Sequence, residues 1–265
     1  MGFWKQNDRM IIRKSPSELE KMRASGMLVW RILDELTKMV EPGLSTLDLE
    51  KVAEQRVNEV GAEAAFKGYY VPAAGRRFPC VLCTSINDEV VHGVPSAKRV
   101  LREGDIVKVD IGVKLDGYYG DSATTIAVGE IAPETQRLMD VTKESLELAI
   151  AKMVDGSRLF DVCGCVEDHV TRHGYTVVRE FVGHGIGRKL HEEPHVPNYV
   201  DKKMSNPRLR EGMVLAVEPM VSAGAPDTKV LSDRWTAVTT DGSNAAHYEH
   251  CIAVTSNGPW VLTRP

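Results

Sequence analysis

The chain has 265 residues, and 33 Lys+Arg against 37 Asp+Glu give a formal net charge of −4, with 43% apolar and 26% charged residues. This balance suits a folded globular protein and excludes a collagen, a coiled coil and a disordered tail. The mild acidity argues against a chain built mainly to coat nucleic acid.

No apolar run approaches the ~20 residues of a membrane-spanning helix. The segment Met1–Arg9 is polar and lacks the apolar centre of a signal peptide, so the expected compartment is the cytoplasm. Residues 1–10 read as an N-terminal extension and 11–265 as a single domain. The first helix opens at Ser15-Pro16-Ser17-Glu18, where Ser15 caps free N–H groups, Pro16 suits the first turn and Glu18 completes a capping box. Leu19, Met22, Met27, Val29, Ile32, Leu33, Leu36 and Val40 follow a helical stripe, and Glu41-Pro42-Gly43 ends it. A second helix runs from Ser45 or Thr46 to just before Gly61. Residues 70–79 read as a loop inserted before a strand around Val81–Ile86.

Asp110 interrupts the apolar strand Ile106–Val113, and Asp121 opens a run of strand formers that ends at Val128. Leu115-Asp116-Gly117-Tyr118 between them is a hairpin signal. A turn centred between Leu115 and Asp116 would set Asp110 directly opposite Asp121, both on one face. A third helix follows Pro133 and ends at Asp155-Gly156, and a fourth runs from about Ser157 to Gly174. Glu218 closes the apolar strand Met213–Val217, and Glu249 precedes Cys251–Val254.

The sequence Leu-Arg-Glu-Gly occurs at 101–104 and again at 209–212, each time followed by an apolar strand and a carboxylate. The flanking helices and strands repeat with it, which divides the chain into pseudo-symmetric halves of about 11–128 and 131–256. The expected fold is α+β, one long antiparallel or mixed sheet covered by four helices. Such symmetry would bring Asp110, Asp121, Glu218 and Glu249 to one centre. Four buried carboxylates are too costly to desolvate alone, and two divalent cations would cancel their charge. The remaining chemistry lies in His184 and His191, within Phe181–Pro194, and in His92, within Ser85–Pro95. The five cysteines, Cys80, Cys83, Cys163, Cys165 and Cys251, are odd in number and poorly spaced for zinc, so they read as free thiols.

Taken together, these residues resemble the type I methionine aminopeptidases, which have the pita-bread fold, over about residues 11–263. The motifs are Ser-Ile-Asn-Asp-Glu-Val-Val-His-Gly-Val-Pro (85–95), Val-Asp-Ile-Gly (109–112), Gly-Asp-Ser-Ala-Thr-Thr (120–125), Gly-His-Gly-Ile-Gly-Arg-x-x-His-Glu-Glu-Pro (183–194), Val-Glu-Pro-Met (217–220) and Glu-His (249–250). The resemblance implies that 11–265 is a single catalytic domain that hydrolyses off an N-terminal methionine when the second residue is small. It implies Asp110, Asp121, His184, Glu218 and Glu249 as ligands of two divalent metal ions (Co, Mn, Fe(II) or Zn), with Asp121 and Glu249 bridging. Glu218 would also take the proton, while His92 and His191 would contact substrate and its reacting carbonyl. Tyr69, Phe78, Cys83 and Trp235 fall at methionine-pocket positions.

The chain departs from the family in the longer 70–79 loop, in Leu190 where an aromatic is frequent, and in Cys251 where Thr is usual. Only 26 residues separate His191 from Glu218, too few for the type II insertion, and no zinc-finger extension precedes residue 11. The implied partners are peptides and nascent-protein N-termini, with a transient ribosome contact, no membrane, no direct nucleic-acid recognition and a monomeric state. Two other readings stay open on the same fold. One is an Xaa-Pro peptidase, which usually carries an extra N-terminal domain. The other is a non-catalytic peptide- or ribosome-binding protein, which would have lost ligands.

Overall fold

The computed structural model describes residues 10–265, so the expected extension 1–10 lies, apart from Met10, outside the described residues. Helix α1 (Pro16–Met39) begins where its cap dictates: Ser15 Oγ accepts from Glu18 N at 3.4 Å, and Glu18 Oε2 accepts from Ser15 N at 2.9 Å. It stops three residues before Pro42, whose ring disfavours helical backbone in the residue before it. Helix α2 (Thr46–Glu59) starts with the equivalent Ser45/Asp48 box, α3 (Pro133–Lys152) has proline in its first turn, and α4 (Leu159–Arg172) follows.

Two cores underlie these helices. Val29, Ile32 and Leu36 of α1 and Leu49 of α2 pack on Leu82, Val107, Val109 and Ile111 from the strands Leu82–Ile86 and Ile106–Leu115. Leu138 and Leu146 of α3 and Leu159 and Val166 of α4 pack on Leu215, Ile252 and Val254 from the strands Val214–Val217 and His250–Thr255. Among the described residues every strand pairing is antiparallel. The two sets of strands meet along a seam where Glu249 N donates to Ala123 O at 2.9 Å. Thr125 Oγ1 also donates to His247 O at 2.7 Å.

The hairpin register differs by one residue at its turn from the sequence expectation. Leu115 pairs with Tyr118, so Asp110 faces Ala123 and Asp121 faces Gly112. The cause is the turn itself: Asp116 and Gly117 both have positive φ, 49° and 82°, which is what a two-residue type I′ loop requires. The two acids therefore share a face as diagonal neighbours rather than as an opposed pair. The 70–79 segment also gains structure, a short hairpin in which Tyr70 pairs with Arg77 and Val71 with Arg76.

The segment before α1 is tied to the far half by a buried ion pair, Lys14 Nζ to Glu192 Oε2 at 2.8 Å, with side chains only 3% and 4% exposed. Removing one partner of such a pair leaves an uncompensated buried charge, which costs about 3–5 kcal/mol. Lys14→Met should therefore lower unfolding stability by that order in urea titration, and Lys14→Met with Glu192→Leu should recover much of it. A single variant as stable as the parent would show that the pair holds nothing.

Candidate metal centre

Five side chains converge where the two cores meet. Asp110 and Asp121 come from the long hairpin, His184 from the strand Gly183–Gly185, Glu218 from the residue after Val214–Val217, and Glu249 from the residue before His250–Thr255. The glycines around His184 are needed for close packing. A Cβ at 183 would lie 2.3 Å from Ala216 O, and one at 185 would lie 2.2 Å from Glu193 O. His184 is thus carried on a strand pressed between neighbours and pairs with Ala216 on one side and His195 on the other.

Ligand atoms of the buried Asp121, His184 and Glu249 lie within 4.8 Å of one another. His184 Nε2 is 4.0 Å from Asp121 Oδ2 and 3.8 Å from Glu218 Oε1. Asp110 completes the cluster. Burial first, then the charges of Asp121 and Glu218, holds its carboxyl well above the usual range. Asp121 and Glu249 are raised well above it too, again chiefly by burial and then by the neighbouring acids. Asp110 Oδ1, Asp121 Oδ1 and Glu249 Oε1 are inaccessible and have no hydrogen-bond partner among the described residues. Orphaned buried acceptors massed in this way, with one imidazole, fit divalent cations by the chemistry of the donor set.

His191 borders the cluster, with its ring 4.4 Å from that of His184, and its Nδ1 is 2.9 Å from Tyr69 Oη. His92 sits against Phe181 at a ring separation of 5.2 Å on a backbone with φ of 61°. The turn leading to it is held by Lys108, a fully buried side chain that donates to Asn87 O at 2.7 Å. Burial pushes the His92 imidazole down to about 4, partly opposed by Glu218, and puts His191 well below its ordinary value.

Of the four expected pocket residues, Phe78, Cys83 and Trp235 form one buried cluster, with Phe78 and Trp235 edge to face at 5.1 Å. Tyr69 stands apart, more than a third exposed, on His191. Leu190 is buried among Ile186, Val214 and Ala216, and the Cys251 thiol donates to Asp121 O at 3.1 Å. All five cysteines are free.

One residue was missed in the sequence. His247 is buried, its Nε2 lies 3.7 Å from Glu218 Oε2, and that nitrogen has no hydrogen-bond partner among the described residues. No motif marks it. The only available signal is its place two residues before Glu249.

The family model for metallopeptidase family M24 matches residues 20–256. The chain belongs to that family. Methionine aminopeptidases are among the similar proteins within it. That of Clostridium acetobutylicum is 48% identical over 254 residues, covering 96% of this chain and 99% of that protein. Methionine aminopeptidase 1 of Bacillus subtilis is 46% identical over 255 residues, covering 96% and 100%. The crystal structure of methionine aminopeptidase from Thermotoga maritima matches with a TM-score of 0.91 at 44% identity, covering 97% of this chain and 100% of that one. The prolidase from Pyrococcus horikoshii shares the fold, with a TM-score of 0.75 at 22% identity, and the match covers 64% of that chain.

Proposed function

We infer that the protein is a metal-dependent methionine aminopeptidase that releases methionine from peptides and nascent proteins whose second residue is small. The observation that carries this is the buried set Asp121, His184 and Glu249 within 4.8 Å, with Glu218 3.8 Å from His184. Asp110, Asp121, His184, Glu218 and Glu249 would hold two divalent ions. When bound, such ions lower the pKa of water towards ~7 and polarise the scissile carbonyl.

The remaining work falls to the protein's own groups. Glu218, with its side chain 14% exposed, can take the proton of the attacking water and pass it to the leaving amine. His92 and His191 stay neutral at pH 7, since burial depresses both, so each can donate an N–H to the carbonyl oxygen as charge develops. Tyr69 Oη lies 2.9 Å from His191 Nδ1, and in the tautomer in which the phenol donates to Nδ1 the His191 proton sits on Nε2.

The segment 11–265 would act as one catalytic domain, as a cytoplasmic monomer with a transient ribosome contact. No described helix is long and apolar enough to cross a membrane. The Xaa-Pro alternative has less support, because the prolidase likeness, at 22% identity, speaks for the fold alone.

The deciding experiment is product analysis on Met-Ala-Ser, Met-Leu-Ser and Ala-Pro-Ser with added Mn²⁺ or Co²⁺. Methionine should be released from the first peptide at least tenfold faster than from the second, with no turnover of the third. Faster cleavage of Ala-Pro-Ser would transfer the protein to the Xaa-Pro peptidases.

A further inference from the structure

The hairpin at 70–77 lies in the loop that reads in the sequence as longer than the family's usual connection, and its tip turns inward. Its base is set by Tyr69 and Phe78: Phe78 N donates to Tyr69 O at 2.9 Å, and Gly68 N donates to Phe78 O at 2.8 Å. The tip closes through Val71 O, which accepts from both Ala74 N and Gly75 N at 3.1 Å. A loop tip of small residues normally sits in water. Here Ala74 is only 4% exposed and packs into the same cluster as Phe78, Cys83 and Trp235, with Val71 beside it. From the other side, Arg234 places its Nη1 3.5 Å from Ala74 O. The hairpin is thus folded down onto the residue that follows Arg234, Trp235. The Trp235 indole N–H is buried with no hydrogen-bond partner among the described residues, so the cluster is not a finished polar network.

We propose that this hairpin is a wall of the pocket for the substrate's first side chain, and that Ala74 is a specificity-determining residue that sets the pocket's depth. The proposal rests on the reading that Phe78, Cys83 and Trp235 receive that side chain. The argument is one of size. A position packed in the same buried cluster as three pocket-forming groups takes volume from the pocket in proportion to its own side chain. Alanine leaves room for a long unbranched apolar chain, a leucine there would shorten the space, and a glycine would lengthen it. A methylene of misfit in an apolar site changes selectivity by about tenfold or more. The base of the hairpin also carries Tyr69, the partner of His191, so the same element joins the pocket wall to His191.

The test is kcat/KM on three peptides, X-Ala-Ser, with X as norvaline, methionine or ethionine, which lengthen the side chain stepwise. The parent protein should prefer methionine. Ala74→Leu should shift the norvaline-to-methionine ratio towards norvaline by tenfold or more. Ala74→Gly should shift the ethionine-to-methionine ratio the other way. Ala74→Gly removes one buried methyl and keeps the hairpin's contacts otherwise, so it decides the matter if the leucine variant does not fold. Ratios unchanged in the glycine variant, with all three rates scaled together, would overturn the inference and leave the pocket reading standing. Failure of the parent protein to prefer methionine would instead remove the pocket reading, and the hairpin's role with it.

Discussion

Dialysis against a strong chelator should abolish turnover of Met-Ala-Ser, and Mn²⁺ or Co²⁺ should restore it. In the cluster of Asp110, Asp121, Glu218 and Glu249 around one imidazole, buried oxygens of Asp110, Asp121 and Glu249 have no hydrogen-bond partner among the described residues. The same ion should raise thermal stability, because a ligand held at 100 times its Kd adds about 2.7 kcal/mol to folding. In a chain of this length that is roughly 5–10 °C of Tm.

The gain has a defined pH dependence. Without metal, burial holds the carboxyls of Asp110, Asp121 and Glu249 above their usual range, so the folded state keeps protons that the unfolded chain has released. Those protons leave when the cation enters, so lowering the pH opposes binding. The Tm increase with Mn²⁺ should therefore be larger at pH 7.5 than at pH 5.5. Full activity in a sample verified as metal-free, or an equal Tm increase at both pH values, would contradict the assignment.

The clustering of the four carboxylates was legible in the sequence because strands seldom carry acids in the middle of apolar runs, and because the oddity recurs in both halves. The α1 cap was legible because its geometry is local: Ser15, Pro16 and Glu18 are enough. The hairpin register was not, since it turns on whether Asp116-Gly117 or Leu115-Asp116 forms the loop. Only the φ values of 49° and 82° decide for the I′ turn. His247 was hidden for a different reason. Its surroundings come from distant pairings, to Met220 across the sheet and to Thr125 across the seam, so nothing near it in the chain marks the contact with Glu218. Ala74 was hidden by composition, because Pro-Ala-Ala-Gly reads as an exposed tip until Trp235 is seen to lie beneath it.

The histidines should separate by what they touch. His184 Nε2 lies 4.0 Å from Asp121 and 3.8 Å from Glu218, inside the ligand set, so His184→Ala should lower bound metal and turnover together. His191 reaches the set through its ring contact with His184 and is fixed by Tyr69, while His92 lies against Phe181. Neither makes an ion pair with an acid of the cluster among the described residues. His92→Ala and His191→Ala should keep the metal and lose ~10²–10³-fold in kcat, the loss expected for one oxyanion donor. KM should change little, because such bonds strengthen as charge gathers on the carbonyl oxygen. Tyr69→Phe should give a smaller fall in kcat, since it frees the His191 ring without removing its N–H. Elemental analysis beside steady-state kinetics of the four variants distinguishes the roles. A His191→Ala protein stripped of metal, beside a fully loaded His184→Ala protein, would show that the ligand and the oxyanion donor had been exchanged.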